Sequence, residues 1–179
     1  MKWLLLICVL VVVLFATGLI HVEFYSTTDA SSGAGQVSAA VEAPPAPASL
    51  GSGARSIDEV RWLRRMNALC VRRNRLEGAL NAPDDIGLAR YAAQTVWVWN
   101  NYMQGKSAVR PPRSYAAEAS WLRHADAAMG ASIQFVLDAA RRNDTDGSHA
   151  AISSFVRLHM ITYPTYVRIG LTACGRFAP

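Results

Sequence analysis

The feature that most constrains this chain is an uncharged apolar run near its N-terminus. Trp3 to Ile20 reads WLLLICVLVVVLFATGLI, an 18-residue stretch in which Thr17 is the one polar side chain. At 1.5 Å per residue such a helix is about 27 Å long, close to the thickness of the hydrocarbon core of a bilayer. Because Lys2 favours the cytoplasmic side, everything after Ile20 is predicted to be translocated.

Two processing outcomes are open for this segment, residues 1–22. Residues 16–18 are small enough for a signal peptidase, so cleavage near Gly18 would give a secreted protein. The apolar run continues beyond that point through residues 19–22, which favours an uncleaved signal anchor. The favoured prediction is therefore a single-pass protein of the cell membrane with its C-terminal domain outside the cytoplasm.

Residues 23–54 form a predicted disordered linker. From Ser26 to Ala54 the chain consists almost wholly of Ser, Ala, Gly, Pro and Thr. Such a composition cannot bury enough apolar surface to offset the entropy lost on ordering. We expect this segment to be a spacer that precedes a folded extracytoplasmic domain, residues 55–179.

Residues 55–179 carry helix signals and no convincing alternation with a period of two, so strands are not expected. The first predicted helix begins at the capping box Ser56–Glu59 and runs to about Leu80. The other helices are predicted at about Pro83–Gly105, Ser114–Arg142 and Ser148–Tyr163, with a kink or an interruption at Pro164 and a short second piece, Thr165–Ala173. Short connections favour antiparallel neighbours, which predicts an all-α, up-down-up-down four-helix bundle.

Three of these helices have residues at three- and four-residue steps that would form a buried face. On the first predicted helix they are Val60, Leu63, Asn67, Cys70 and Asn74. On the third they are Leu122, Ala125, Met129, Ile133, Val136 and Ala140. On the fourth they are Ile152, Phe155, Val156, His159 and Tyr163.

Export would leave the domain with two cysteines, Cys70 and Cys174, in a compartment that permits disulfides. A bond between them closes a loop of about 100 residues, which contributes roughly 4–5 kcal/mol in the chain-entropy model. The alternative is a pair of buried free thiols. No metal site is expected, because no Cys or His near either cysteine has ligand spacing.

Three short motifs occur in order along the domain: MNALC at 66–70, PP at 111–112 and GLTACG at 170–175. With N-A-x-C near the domain start and G-L-x-x-C-G at its end, the chain resembles a group of small exported helical proteins of high-GC Gram-positive (actinobacterial) bacteria. The resemblance implies a helical fold with a disulfide, and it implies no activity. Members are often lipoproteins or secreted. This chain has no lipobox, because Ile7 precedes Cys8 where a small residue is needed.

Two surfaces are candidates for contact with a partner. The chain carries a net charge of +5, and arginines crowd the first predicted helix at positions 55, 61, 64, 65, 72, 73 and 75. They could meet anionic lipid headgroups, wall polymers or an acidic protein, or simply face solvent. On the second helix, residues two apart point about 200° from each other. One of Trp97 and Trp99 should therefore be buried, and the other exposed or covered by the tail, for instance by Phe177. The predicted partner face contains Trp97, Trp99, Tyr102, Arg61, Arg65 and Arg72.

The leading functional hypothesis is a non-enzymatic module of the cell envelope, membrane-tethered or secreted, that binds a protein or an envelope polymer. The alternative is a carrier of a small molecule or lipid in a cavity between helices, with Asn67, Asn74 and His159 as its polar groups. The same side chains could instead be hydrogen-bonded within the core. No catalytic, cofactor-binding or metal-ligand motif occurs, so we expect neither an enzyme nor a cofactor, and export argues against a nucleic-acid partner.

Overall fold

Helices make up most of the part of the chain that the computed structural model describes, which is residues 44–45 and 54–176. These residues belong to one compact unit, 34–179. The predicted membrane segment, 1–22, lies outside the described residues, as does all of the predicted linker except residues 44, 45 and 54. Among the residues described, no helix is long and apolar enough to cross a membrane.

Five α-helices and one 3-10 turn follow one another along the described chain, without a strand among them. They are α1 (Ile57–Gly78), α2 (Pro83–Ile86), α3 (Leu88–Ser107), the 3-10 turn (Arg113–Tyr115), α4 (Ala116–Arg141) and α5 (Thr145–Ile169). Four of the helices are long, and helices adjacent in the chain pack together: α1 against α3, α3 against α4, and α4 against α5. The prediction of an all-α domain with four long helices is confirmed for these residues.

The start of α1 is set by the predicted capping box. The Ser56 hydroxyl accepts a hydrogen bond from the Glu59 N–H at 3.3 Å, and the Glu59 carboxylate accepts one from the Ser56 N–H at 2.8 Å. Two of the N–H groups that a helix start leaves unpaired are satisfied in this way. The local sequence alone therefore fixes where α1 begins.

The second predicted helix is divided in the structure. Gly87 has φ +80°, a backbone conformation that residues other than glycine rarely adopt, and it separates α2 from α3. The two acidic residues after Pro83 therefore belong to a four-residue helix and not to the start of α3. The prediction of one continuous helix from Pro83 was wrong because a single glycine reverses the backbone.

Helices α4 and α5 begin at other residues than predicted. Ser114 does not cap α4; its hydroxyl donates to the Glu59 carboxylate at 2.5 Å. The cap of α5 is Asp144, whose carboxylate accepts from the Gly147 N–H at 2.8 Å, so the helix starts three residues before Ser148. Both corrections have one cause: the hydroxyl of a serine that could cap a helix can bond to another group instead. The Ser114 hydroxyl bonds to Glu59, and the Ser148 hydroxyl donates to the Asp144 carbonyl.

Pro164 does not interrupt α5, which continues to Ile169 and ends at Gly170 with φ +92°. Proline cannot donate to the carbonyl four residues earlier, which usually kinks or breaks a helix. Here Thr162, Thr165 and Tyr166 are buried on both sides of the proline. Packing of these turns against the core holds the helix together despite the missing hydrogen bond. Of the two outcomes predicted at Pro164, a kink or an interruption, the interruption was wrong.

The buried faces agree with the prediction for α4 and differ for α1 and α5. On α4 the predicted stripe is buried from Leu122 to Val136. On α1 the face is rotated, so that Val60 is exposed and Trp62, Met66 and Arg73 are inside. On α5 the predicted residues Ile152, Val156 and Tyr163 are exposed. The side of α5 that packs inward carries Ser148, Ala151, His159, Thr162, Thr165, Tyr166 and Ile169.

The predicted disulfide is present between Cys70 on α1 and Cys174 in the segment after α5. The sulfur atoms are 2.06 Å apart and the two cysteines are separated by 104 positions in sequence. Both residues are buried. The bond fastens the segment that follows α5 to the middle of α1.

Removing this bond should lower the stability of the domain substantially. In the double variant Cys70→Ala/Cys174→Ala we expect the free energy of unfolding to fall by about 4–5 kcal/mol, because the unfolded chain regains the freedom that a long closed loop removes. Urea denaturation followed by circular dichroism measures the difference. Reductant should destabilise the parent and leave the double variant unchanged; equal stability of the two proteins would contradict the prediction.

Candidate functional site

Ionisable side chains gather in two places, one buried and one exposed. The buried one, here called the Asp126 centre, contains Asp126, Lys106, Tyr102 and Tyr166. The exposed one, called the basic groove, is lined by arginines from α1 and from the segment between α3 and α4, residues 108–115, here called the connector. The two differ in access to solvent, and that difference decides what each can do.

The Asp126 carboxylate is fully buried and accepts three hydrogen bonds from side chains. The Lys106 ammonium and the Tyr102 hydroxyl, the latter at 3.2 Å, donate to Oδ2. The Tyr166 hydroxyl donates to Oδ1 at 2.5 Å. Lys106 and Tyr102 belong to α3, Asp126 to α4 and Tyr166 to α5, so this carboxylate joins three helices at one point.

Both tyrosines of the centre are held as hydrogen-bond donors. Burial raises the pKa of Tyr102 and of Tyr166 well above the ordinary value, and the negative charge of Asp126 raises both further. A phenolate beside a buried carboxylate would be a second negative charge without solvent. The two hydroxyls are therefore protonated donors to the Asp126 carboxylate.

Arg73 connects the Asp126 centre to the segment after α5. It is buried, and its guanidinium lies over the rings of Trp99 and Tyr102, 5.4 and 5.1 Å from their centroids. It also donates to the Asn74 side chain at 2.7 Å and to the Cys174 carbonyl at 3.3 Å. The prediction counted Arg73 with the solvent-facing arginines of α1, and its burial corrects that.

Asn67 and Asn74, the predicted polar groups of a carrier cavity, bond to the segment after α5. Asn67 donates to the Gly170 carbonyl at 2.9 Å and accepts from the Ala173 N–H at 3.2 Å. Asn74 donates to the Ala173 carbonyl at 2.9 Å. The motifs around Cys70 and Cys174 therefore face each other, and the asparagine amides satisfy backbone groups of the second motif.

His159, the third predicted polar group of a carrier cavity, lies on α5 and is buried. Burial lowers its pKa, and the positive charge of Arg73 lowers it further. A buried imidazole beside a fixed guanidinium favours the neutral form. His159 therefore belongs to the packed interior together with Arg73.

The predicted aromatic face is divided by the structure. Trp99 is buried and its indole N–H donates to the Asp126 backbone carbonyl at 3.1 Å, while Trp97 is 58% exposed. The expectation that one of the two tryptophans is inside is thus correct. Assigning Tyr102 and Trp99 to an exposed face was wrong, because both pack around the Asp126 centre. Phe177, the suggested cover for the outer tryptophan, lies outside the described residues.

Sequence reasoning missed Asp126, Lys106 and Tyr166 of the Asp126 centre and assigned Tyr102 to a partner face. Asp126 lies four residues after Leu122 and three before Met129, within the apolar stripe of α4. A carboxylate at such a position requires a buried partner, and this was the available signal. The identity of the partner was not readable, since Lys106 and Tyr166 come from other helices.

The basic groove has a volume of about 350 Å³ and lies beside the first turns of α1. The arginines that line it are Arg61, Arg65, Arg110 and Arg113, and Asp58, Trp62, Val109, Pro111 and Pro112 complete it. Arg61 and Arg65 were predicted for a partner face, whereas the two connector arginines were not. Arg72, also predicted, lines a different groove between α1 and α3, and Trp97 lines neither.

The charges of the basic groove are mostly uncompensated within the described part of the chain. Arg61 pairs with Asp58 at 3.2 Å, and both side chains are exposed. No carboxylate of a described residue lies within 4.0 Å of the guanidinium groups of Arg65, Arg110 or Arg113. Within the described residues, these three guanidinium groups therefore have no ion-pair partner.

Ring stacking and a hydrogen bond next to the basic groove fix its shape. The Trp62 indole is buried and stacks on the Tyr115 ring, with centroids 5.2 Å apart. The Ser114 hydroxyl ties the connector to Glu59 on α1. This hydrogen bond, followed by the one from the Ser56 backbone, lowers the pKa of Glu59. Glu59 is thus a carboxylate at neutral pH and keeps the connector in place.

Neither metal coordination nor similarity to known proteins identifies a function. Among the described residues, no three His, Cys, Asp or Glu side chains are placed to hold a metal ion. Comparisons of the chain with protein-family models, with curated proteins and with solved structures gave no match. The resemblance to exported actinobacterial proteins therefore stays a prediction.

Breaking the buried ion pair should cost far more than breaking an exposed one. We expect Asp126→Asn or Lys106→Met to lower the free energy of unfolding by about 3–5 kcal/mol, because each leaves a buried charge without its partner. The double variant should lose less than the sum of the two. Denaturant unfolding measures all three, and Asp58→Asn, at an exposed pair, should cost under about 1 kcal/mol. Strictly additive losses at the buried pair would contradict the prediction.

Stability should fall on mild acidification because of His159. Its pKa is lowered in the folded state, so below the ordinary value of about 6.5 the unfolded chain binds a proton that the folded chain resists. The free energy of unfolding should decrease between about pH 7 and pH 5, and His159→Gln should make this decrease shallower.

The measurement is urea denaturation at several pH values, made in a Glu77→Gln background. Burial raises the pKa of Glu77, so just above that residue's ordinary pKa the folded chain holds a proton that the unfolded chain releases. In that range Glu77 makes the free energy of unfolding rise on acidification, which is opposite to the effect of His159. An unchanged slope in the His159 variant would show that this histidine is not responsible.

Proposed function

We propose that this chain is a non-enzymatic helical module of the cell envelope that binds a phosphate-bearing envelope polymer in the basic groove. The observation that supports the proposal most is the meeting of four arginines from two separate segments in one groove that contains a single carboxylate. Arginine is the side chain suited to phosphate, because its planar fork of donors matches two phosphate oxygens at once.

The proposal includes the place and arrangement of the domain. Residues 1–22 anchor the chain in the cell membrane, or are removed by cleavage near Gly18, and residues 23–54 form a disordered spacer. The four long helices, α1, α3, α4 and α5, are arranged up-down-up-down outside the cytoplasm. A domain on a spacer that leaves the membrane can reach polymers of the envelope.

The geometry of the groove favours binding over a loose electrostatic contact. The indole of Trp62 and the rings of Pro111 and Pro112 form apolar walls, and the connector is tied to α1 through Ser114. A groove that is already shaped loses less entropy when a ligand enters than a flexible arginine-rich tail does. This supports recognition of a repeated anionic unit.

The buried ionisable groups give less support to the other functions. In the Asp126 centre the carboxylate, the ammonium and both phenols already bond to one another away from solvent. The carrier alternative placed its polar contacts at Asn67 and Asn74, whose amides bond to the segment after α5. We therefore propose binding at the surface, in neither a catalytic site nor an internal cavity.

The test is calorimetric titration of the full chain, in detergent, with poly(glycerol phosphate). In Arg65→Glu/Arg113→Glu we expect the affinity to fall at least about tenfold, because hydrogen bonds to charged groups contribute about 1.5–3 kcal/mol each. The matched control is Arg64→Glu/Arg75→Glu, which changes the net charge equally at exposed positions of α1 outside the groove.

The control should lose less than about threefold, since it removes only long-range attraction. Equal losses in the two double variants would reject the groove as the binding site. Absence of any heat with the parent chain would reject a phosphate polymer as the partner. Circular dichroism of each variant verifies that the helices are retained.

A further inference from the structure

Helix α5 exposes a band of apolar side chains along its length. The band, here called the α5 band, contains Ile152, Val156, Met160, Tyr163 and Val167, which are 42–66% exposed. The steps between them are four, four, three and four residues, so they lie on one face over about 22 Å. Isolated apolar side chains on a surface are ordinary, whereas a continuous band of five indicates a contact surface.

The band exists because α5 packs inward through other residues. Ser148, Ala151, Thr162 and Thr165 are buried, and these small side chains let α5 approach α4 closely. The larger apolar side chains are left on the outer side. The helix therefore has one face fitted to the core and a second apolar face that contacts no described helix closely enough to be buried.

The charge around the band is positive. From Gly147 to Pro179 the sequence contains no Asp or Glu, and it contains three arginines. Arg157 is exposed one position after Val156, whereas Arg168, which follows Val167, is half-buried and has one terminal guanidinium nitrogen enclosed. The one carboxylate of α5, that of Asp146, lies in the first turn, six residues before Ile152. An apolar helix face beside an exposed arginine has the pattern of helices that lie in the interface of an anionic bilayer.

We propose that the α5 band rests on the surface of an anionic lipid bilayer, with its apolar side chains at the headgroup boundary and Arg157 close to lipid phosphates. A second copy of the chain fits the band less well. A strip about 22 Å long and one helix wide buries on the order of 200 Å², against about 800 Å² per partner in a stable interface. The proposal does not depend on the basic groove, which lies on other elements.

Radical footprinting of the full chain tests this proposal residue by residue. The chain is incorporated into nanodiscs of phosphatidylcholine alone or with about one third phosphatidylglycerol, and oxidation of Met160 is quantified by mass spectrometry. With phosphatidylglycerol we expect Met160 oxidation to fall at least about threefold, because the side chain enters the interface. Trp97, which is similarly exposed but lies on α3, is the internal control and should change little.

Two variants and one control identify the cause of any protection. Arg157→Glu and Val156→Asp should each restore Met160 oxidation in anionic nanodiscs, since one reverses the charge and the other interrupts the band. Arg141→Glu, at an exposed position near the end of α4, should leave the protection intact. Equal Met160 oxidation in the two nanodiscs overturns the proposal. Protection that accompanies cross-linking of two chains overturns it in favour of a dimer.

Discussion

The carboxylate of Asp126 connects the helices α3, α4 and α5 through the side chains that bond to it. Asp126 is fully enclosed, and it is tolerable there because Lys106, Tyr102 and Tyr166 all donate to it. Each donor comes from a helix other than that of Asp126, so the charge is satisfied only when α3 and α5 both bring their donors to α4. A misaligned helix would leave a buried charge unpaired, which is far more costly than a small loss of packing. The ion pair of Asp126 and Lys106 thus contributes more to the relative arrangement of the helices than to their stability.

The segment after α5 is fastened to α1 by means that reinforce one another. The disulfide fixes Cys174, and Asn67, Asn74 and Arg73 satisfy backbone groups between Gly170 and Arg176. An irregular segment cannot be buried unless its polar backbone groups find partners. The residues around the two cysteines therefore form one unit. The asparagines satisfy the backbone groups of the segment after α5, and the disulfide links that segment covalently to α1. Through Arg73, which also covers Trp99 and Tyr102, this unit is connected to the Asp126 centre.

Two surfaces of the described domain, the basic groove and the α5 band, suit anionic material. The basic groove combines guanidinium groups with a rigid aromatic floor, which suits a ligand with discrete anionic units. The α5 band combines apolar side chains with the exposed Arg157, which suits a continuous interface. Because the basic groove and the α5 band lie on different elements, either proposed contact can be disproved without affecting the other. A chain with both could hold an envelope polymer while its domain lies against the membrane.

The sequence by itself determined the features that depend on neighbours along the chain. The capping box of α1, the four long helices, the stripe of α4 and the burial of one of two tryptophans follow from local hydrogen bonding and helical periodicity. The disulfide followed from the presence of two cysteines in the domain. Tertiary structure decided the continuity of α5 through Pro164, the rotation of its buried face and the inward direction of Arg73 and Tyr102. It also brought Arg110 and Arg113 beside Arg61 and Arg65. These features depend on which residue meets which across 20 to 100 positions, and periodicity within one helix contains no information about the partner that packs against it.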